Sequence, residues 1–201
     1  MNNITFDNYY DELELVSGTS KHTFPTHIHQ SLCIGVITKG AALLSFNNKT
    51  SILEKGSHYI IAPYQPHAIT PLNGKEYSYL TICIKKDISK LCPELYKYLT
   101  KTKTLMQNTD PSSYNLQLLA QANNLSKYHF IKKFKEKIGI TPYQFILNEK
   151  IKKVRQGILS KQSLADLALE LGFSDQSHLC NTFKKYMGIS PLQFSTAYKA
   201  H

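Results

Sequence analysis

Two stretches of the chain bring together side chains that could read a nucleic acid. In "LSKYHFIKKFKEKIGITP", Leu125 to Pro142, the outward positions hold Lys127, Tyr128, Lys132 and Lys133. In "FSDQSHLCNTFKKYMGISP", Phe173 to Pro191, they hold Gln176, Ser177, His178 and Asn181. Ammonium groups meet phosphates, whereas amides, hydroxyls and imidazoles can hydrogen-bond base edges in a groove.

The elements that must position these groups form a repeat. Ala120 to Ser126 and Ala168 to Ser174 are both six residues, and Phe134, Gly139, Pro142 follow the same steps as Phe183, Gly188, Pro191. The registers differ by one, because Ser126 to Phe134 is eight residues and Ser174 to Phe183 is nine. Apolar residues recur at helical spacing: Leu116, Leu118, Leu119 and Ala122 on a short helix, then Phe130, Phe134 and Ile138 on a longer one. Leu164, Leu167, Ala168 and Leu171 repeat the first, and Leu179, Phe183 and Met187 the second. Ser126 and Ser174 read as N-caps, Gly139 and Gly188 as left-handed helix stops, and Thr141-Pro142 and Ser190-Pro191 as starts of the helices that follow. Each unit is therefore expected to be a helix-turn-helix. Solenoids and bundles also repeat helical hairpins, but these two hairpins carry outward groups suited to bases and phosphates.

The segment joining them, "TPYQFILNEKIKKVRQGILS", is expected to be a helix of its own. About 18 residues at 1.5 Å each span roughly 27 Å, near the ~34 Å between successive major-groove faces of DNA. Gly157 interrupts its interior at a cost of ~1 kcal/mol relative to alanine, which predicts an easy bend there. Lys150, Lys152, Lys153 and Arg155 along it suit a phosphate backbone.

Charge is concentrated in the same half. Residues 111–201 hold 13 Lys or Arg against 5 Asp or Glu, while residues 1–110 hold 11 against 9, within a net charge of +10. Such a field favours a polyanion, since each phosphate neutralised releases counterion. Cys33, Cys83, Cys92 and Cys180 are scattered with no CxxC pair, so no disulfide framework is expected. The opening "MNNITFDNYYDELELV" lacks a basic stretch leading into an apolar one, and no run approaches the ~18 apolar residues of a membrane span. A cytoplasmic protein without membrane partners is expected.

The first half reads as strands. Ser31–Thr38, Ala41–Phe46, Thr50–Leu53, Ser57–Ala62 and Glu76–Ile84 are rich in β-branched and aromatic residues. They are separated by turn chemistry at Lys39-Gly40, Asn47-Asn48-Lys49, Glu54-Lys55-Gly56 and Asn73-Gly74. Short strands at this spacing predict an antiparallel barrel or sandwich. A polar stretch from about Ser89, with one helical piece from Pro93 to Leu99, reads as a connector.

From about Leu116 to Tyr198 the chain resembles the paired helix-turn-helix domain of AraC-type (AraC/XylS) transcription regulators. The second unit of that family typically reads "GFsDqSyFsRxFKkxxGxSPxxyR", and here it stands as "GFSDQSHLCNTFKKYMGISPLQFS". The resemblance implies that the N-terminal parts of both recognition helices enter adjacent major-groove segments. Tyr128, Ile131 and Lys132 would do so in the first unit, and Gln176, Ser177, His178 and Asn181 in the second. Lys132 and Asn181 stand where the family usually has arginine. Lysine lacks the bidentate fork, and asparagine favours adenine over guanine.

The resemblance also supplies the architecture: an α+β chain of two domains. An N-terminal antiparallel β-barrel of cupin type, sensing an effector, would occupy residues 1–86, a connector 87–111, and the all-α DNA-binding domain 112–201. It implies a transcription regulator, an activator modulated by a small molecule, with double-stranded DNA, RNA polymerase and a second copy of the chain as partners.

"FPTHIHQSLCIGVITKG" and "LEKGSHYIIAPYQPHAITP" resemble the two edge motifs of the cupin domain, with His27, His29 and His67. Enzymatic cupins use a similar arrangement, with a glutamate, to bind a metal, and three imidazoles on neighbouring strands suit Zn or Fe. Here the carboxylate is missing, since Gln30, Ser31, Leu32 and Cys33 follow His29. The histidines are therefore read as polar lining or core partners and, with Tyr64, as the candidate effector-binding residues, with no catalytic residue, metal or cofactor expected. The alternative is a metal-dependent cupin enzyme fused to a DNA-targeting module. Tyr9, Tyr59, Tyr64, Tyr77 and Tyr79 either line an aromatic pocket or pack a core.

Overall fold

The computed structural model describes residues 2–9, 12–46, 48–85 and 116–200. The connector expected at 87–111, its helical piece from Pro93 to Leu99, and Cys92 lie outside the described residues. The chain divides into two compact units, residues 1–86 with 180–201, and residues 87–179.

Among the described residues the first unit holds ten strands: β1 (Asn3–Tyr9), β2 (Leu13–Ser20), β3 (Phe24–His27), β4 (Leu32–Lys39), β5 (Ala41–Phe46), β6 (Lys49–Glu54), β7 (His58–Ile61), β8 (His67–Pro71), β9 (Tyr77–Ile84) and β10 (Tyr198–Ala200). They form two sheets, ordered β10-β1-β2-β9-β4-β7 and β3-β8-β5-β6. This is the expected antiparallel β-rich architecture. The described strands make two facing sheets and not one closed hydrogen-bonded ring.

Alternation selects what the sheets bury. Along β4, Cys33 and Ile37 are buried while Ile34 is 40% exposed. Cys33, Ile37, Ala42, Leu44, Leu53, Tyr59, Ile61 and Tyr77 make one apolar cluster. Gly35 sits opposite Tyr59 in the β4–β7 register, and a Cβ there would lie 2.2 Å from the Tyr59 ring. The missing side chain is the space the ring occupies. Tyr59 then shares a 2.6 Å hydrogen bond with Thr81. Tyr59 and Tyr77 belong to this cluster, so these tyrosines pack the core; Tyr64 is buried as well, and Tyr9 is 36% exposed.

β10 was not foreseen and is the parallel member of its sheet, with Phe6 opposite Tyr198 and Asn8 opposite Ala200. The chain before it packs on the same strand. The Phe6 and Phe194 rings meet edge to face at 5.1 Å, and the Asn2 side-chain amide donates to the Gly188 carbonyl at 2.7 Å. The apolar periods of the C-terminal helices thus close partly on β1, beyond the helical region itself.

The helices are α1 (Leu116–Ala122), α2 (Lys127–Ile138), α3 (Pro142–Leu159), α4 (Leu164–Glu170), α5 (Gln176–Met187) and α6 (Pro191–Ala197). Phe130, Phe134 and Ile138 are the buried face of α2, and Phe134 meets Phe145 of α3 at 5.5 Å. Gly139 (φ 81°) and Gly188 (φ 76°) take the left-handed conformation expected of helix stops. Thr141 and Ser190 each build a reciprocal capping box with the glutamine three residues on, followed by proline at the first helical position.

Gly157 does not bend α3, which runs unbroken through it. A Cβ there would lie 2.4 Å from Leu167 Cδ2 and 2.6 Å from Gln162 Oε1. Leu167 is 2% exposed and has nowhere to go. The glycine lets α4 approach α3, and packing explains it where propensity suggested a hinge.

Candidate nucleic-acid interface and histidine cluster

The first recognition helix, α2, is opened by Ser126, whose hydroxyl accepts from the His129 backbone N–H. The second, α5, starts at Gln176, and its cap is Asp175, not the expected Ser174. Asp175 Oδ1 accepts from the His178 N–H at 2.7 Å, and the Asp175 carbonyl accepts from Leu179 N–H. That bond is the main cause holding the Asp175 carboxyl below its ordinary pKa. Aligned on the true caps, both helices reach their central phenylalanine after eight residues, Ser126 to Phe134 and Asp175 to Phe183. The one-residue mismatch of the repeat disappears.

This alignment places His129 opposite His178, an equivalence that the serine-anchored register hid. His129 Nδ1 and the Ser126 hydroxyl are 3.1 Å apart, and His178 Nδ1 accepts from the Ser174 N–H at 3.3 Å while its ring edge meets Phe173 at 5.3 Å. With Nδ1 accepting, neutral His178 carries its proton on Nε2 and presents a donor outward. The sequence could have shown this pair through the motif of cap plus three.

Lys127, Tyr128, Lys132 and Lys133 on α2, and Gln176, Ser177, His178 and Asn181 on α5, are all exposed, with Tyr128 73% exposed; Ile131 is half-buried. Exposed polar side chains are what a groove contact requires. On α3 the expectation changes for Lys150. Its ammonium donates to the Gly172 carbonyl at 3.1 Å and sits 5.2 Å from the centre of the Phe173 ring. Lys150 thus ties α3 to the turn before α5.

In the β unit the fold gathers His27, His29 and His67. His27 and His67 are register partners across β3 and β8, and their ring centres are 4.2 Å apart. His29 lies 6.0 Å from His27 and 4.8 Å from His67 by the same measure. One nitrogen of each ring lies within 4.8 Å of its counterparts. Desolvation depresses all three basicities. It takes His29 to about 4, with the neighbouring His27 adding to the effect, and His67 well below the ordinary value, with His27 and His29 adding. The rings are neutral near pH 7.

Tyr64 is buried at φ 59° and joins the cluster through its backbone, donating to the His29 carbonyl at 2.7 Å. Cys33 and Cys83, scattered in the sequence, are register partners on β4 and β9 with their sulfurs 2.8 Å apart. Cys33 Sγ lies 3.9 Å from His29 Nδ1. Nothing in their spacing of fifty residues signals this meeting.

A two-sheet unit with a polar cluster and two capped helix-turn-helices stand in one chain, and comparison with known families names both parts. A model described as "AraC-like ligand binding domain" matches residues 13–127, more than half the chain, and one described as "Helix-turn-helix domain" matches residues 119–197. The chain belongs to the AraC-type transcription regulator family.

Among curated relatives, an uncharacterized HTH-type transcriptional regulator of Haemophilus influenzae is 30% identical over 84 residues, 41% of this chain and 28% of that protein. The MmsAB operon regulatory protein of Pseudomonas aeruginosa is 39% identical over 77 residues, 38% of this chain and 25% of that protein. An uncharacterized HTH-type transcriptional regulator of Bacillus subtilis, YbfI, is 22% identical over 227 residues, 78% of this chain and 81% of that protein. The chain thus matches little more than a quarter of the length of the first two. All three names are those of regulators, not of enzymes, and the histidine cluster includes no carboxylate among the described residues.

Proposed function

We propose that this chain is a sequence-specific, double-stranded-DNA-binding transcription regulator whose β unit senses a small effector. The observation that carries the reading is the pair of equivalent recognition helices, each capped, each buried along one face, and each presenting exposed polar side chains from its first two turns. Lys127, Tyr128, Ile131, Lys132 and Lys133 contact one major-groove segment or its phosphates; Gln176, Ser177, His178 and Asn181 contact the next. His27, His29, His67 and Tyr64 form the effector site.

The domain plan of residues 1–86, 87–111 and 112–201, an activating role, contact with RNA polymerase, self-association and work in the cytoplasm, where bacterial DNA lies, complete the proposal. Selection of bound DNA from random duplexes tests it. The expected product is one non-palindromic site with two short clusters about one helical turn apart. Recovery of no sequence preference would overturn it.

A further inference from the structure

We propose that Cys33 and Cys83 form a redox-active dithiol that closes to a disulfide under a peroxide and reopens under a low-molecular-weight thiol. The chemistry is local to strands β4 and β9 and does not depend on what the helices bind.

Strand register brings the two sulfurs together. Cys33 and Cys83 are opposed on antiparallel neighbours, and the pairing runs without a shift from Leu32 opposite Ile84 to Ile37 opposite Tyr79. Directly opposed residues of such a pair have Cα atoms ~4.5 or ~5.5 Å apart, both inside the ~4.4–6.8 Å that a disulfide spans. Both are free thiols, and their Sγ atoms stand 2.8 Å apart. Carbon atoms that only pack settle at ~3.5–4.0 Å, and sulfur is larger than carbon, so apolar packing alone does not explain the contact. Less than ~1 Å of further approach reaches the ~2.05 Å of a disulfide bond.

The neighbours on either side keep the pair in place. Glu14 of β2 is the other register partner of Cys83, and Ile61 of β7 is that of Cys33, so Glu14, Cys83, Cys33 and Ile61 form one row across four strands. Glu14 and Ile61 are both buried, and the Glu14 carboxylate is paired with the Lys85 ammonium at 3.5 Å. The sulfurs have little room to separate.

Access divides the roles. Cys83 is half-buried, whereas Cys33 is buried in the apolar cluster. The hydrogen bond with Cys83, and burial after it, push the Cys33 thiol well up, which protects Cys33 from direct oxidation. Cys83 therefore meets the peroxide first. Its sulfur attacks one peroxide oxygen, the O–O bond breaks, a sulfenic acid forms, and the thiol proton leaves with the other oxygen as water. Cys33, already in contact, then attacks Cys83 Sγ. The S–S bond forms as the S–O bond breaks, and the Cys33 proton leaves with that oxygen as a second water. Two thiols and one peroxide thus give one disulfide and two waters. Two molecules of a small thiol reverse this by exchange and are themselves oxidised to a disulfide.

The test uses the full chain, reduced with dithiothreitol, desalted and exposed to hydrogen peroxide, with remaining thiols blocked by N-ethylmaleimide before tryptic mapping. Cleavage after Lys21, Lys39, Lys75 and Lys85 places Cys33 in residues 22–39 and Cys83 in residues 76–85, each without a second cysteine. The expected results are a linked pair of these two peptides, loss of two of the four thiols, and their recovery with dithiothreitol. Cys33→Ser should leave Cys83 as a sulfenic acid that dimedone labels. Cys83→Ser should slow oxidation of Cys33 at least tenfold, and Cys180→Ser should form the link at the wild-type rate. The wild-type peptide map needs no variant and decides the matter if a serine variant fails to fold. No linked peptide, a link through Cys92 or Cys180 in its place, a link that forms only in urea, or equal rates of Cys33 oxidation in wild type and Cys83→Ser would overturn the site.

Discussion

The Asp175 carboxylate holds the backbone N–H of His178 at 2.7 Å, and this bond opens the second recognition helix one residue later than the sequence repeat suggests. Everything on α5 is thereby re-registered. Gln176 takes the place that Lys127 has on α2, Asn181 that of Lys132, and His178 that of His129. The two helices present different chemistry from equivalent positions, so the half-sites proposed for them are expected to differ.

Asp175 gives a pH test. Its folded pKa is lowered, so its contribution to stability is full above the unfolded value near 3.8 and is lost as pH falls through the lower folded value. Asp175→Asn keeps an accepting oxygen without the charge, and Asp175→Ala removes both. Thermal melts from pH 3 to 7 should show the alanine variant less stable than wild type at neutral pH, with the gap shrinking in acid. A gap independent of pH would mean that the cap works without ionisation.

Gly157→Ala sets propensity against packing. Alanine is favoured by ~1 kcal/mol in a helix interior, yet its methyl group would press on Leu167, which is buried. Overpacking typically costs ~1–3 kcal/mol. Urea denaturation should show net destabilisation; a stabilised variant would restore the reading of Gly157 as a simple flexible point.

Phe194 is fully buried and touches Phe6, Phe183 and Tyr198. Phe194→Ala should cost ~3–5 kcal/mol. The same contact predicts that a fragment of residues 111–201, although it carries both helix-turn-helices, melts below the full chain, because the β1 face that Phe6 supplies is missing. Equal melting temperatures would show that the helical periods close by themselves.

Base reading separates from phosphate contact by competition binding. Gln176→Ala or Asn181→Ala should cost ~1–3 kcal/mol on the selected site and relax preference in one cluster, with Tyr128→Ala or Lys132→Ala affecting the other. Lys133→Ala should lower affinity evenly over all sequences and reduce the log–log salt slope by about one. Uniform losses for all five would assign them all to the backbone.

The sequence by itself determined the helical half. Capping residues, glycine stops and prolines act within one turn, and apolar spacing at 3.6 residues marks the buried face, so Ser126, Gly139, Pro142, Phe134 and Phe183 announce their roles locally. It also determined that strands such as Ala41–Phe46 exist, because β-branched runs between turns carry that information. Strands β1, β2, β3 and β8 were missed: they are short or carry polar residues, and only pairing with neighbours makes them strands. Tertiary structure alone decided the rest. Gly157 and Gly35 matter for what approaches them from other elements. Asp175 displaced Ser174 because the helix start is settled by which side chain reaches the His178 N–H. Cys33 meets Cys83, and His67 meets His27, through strand register, a relation between residues far apart in sequence that no local period encodes.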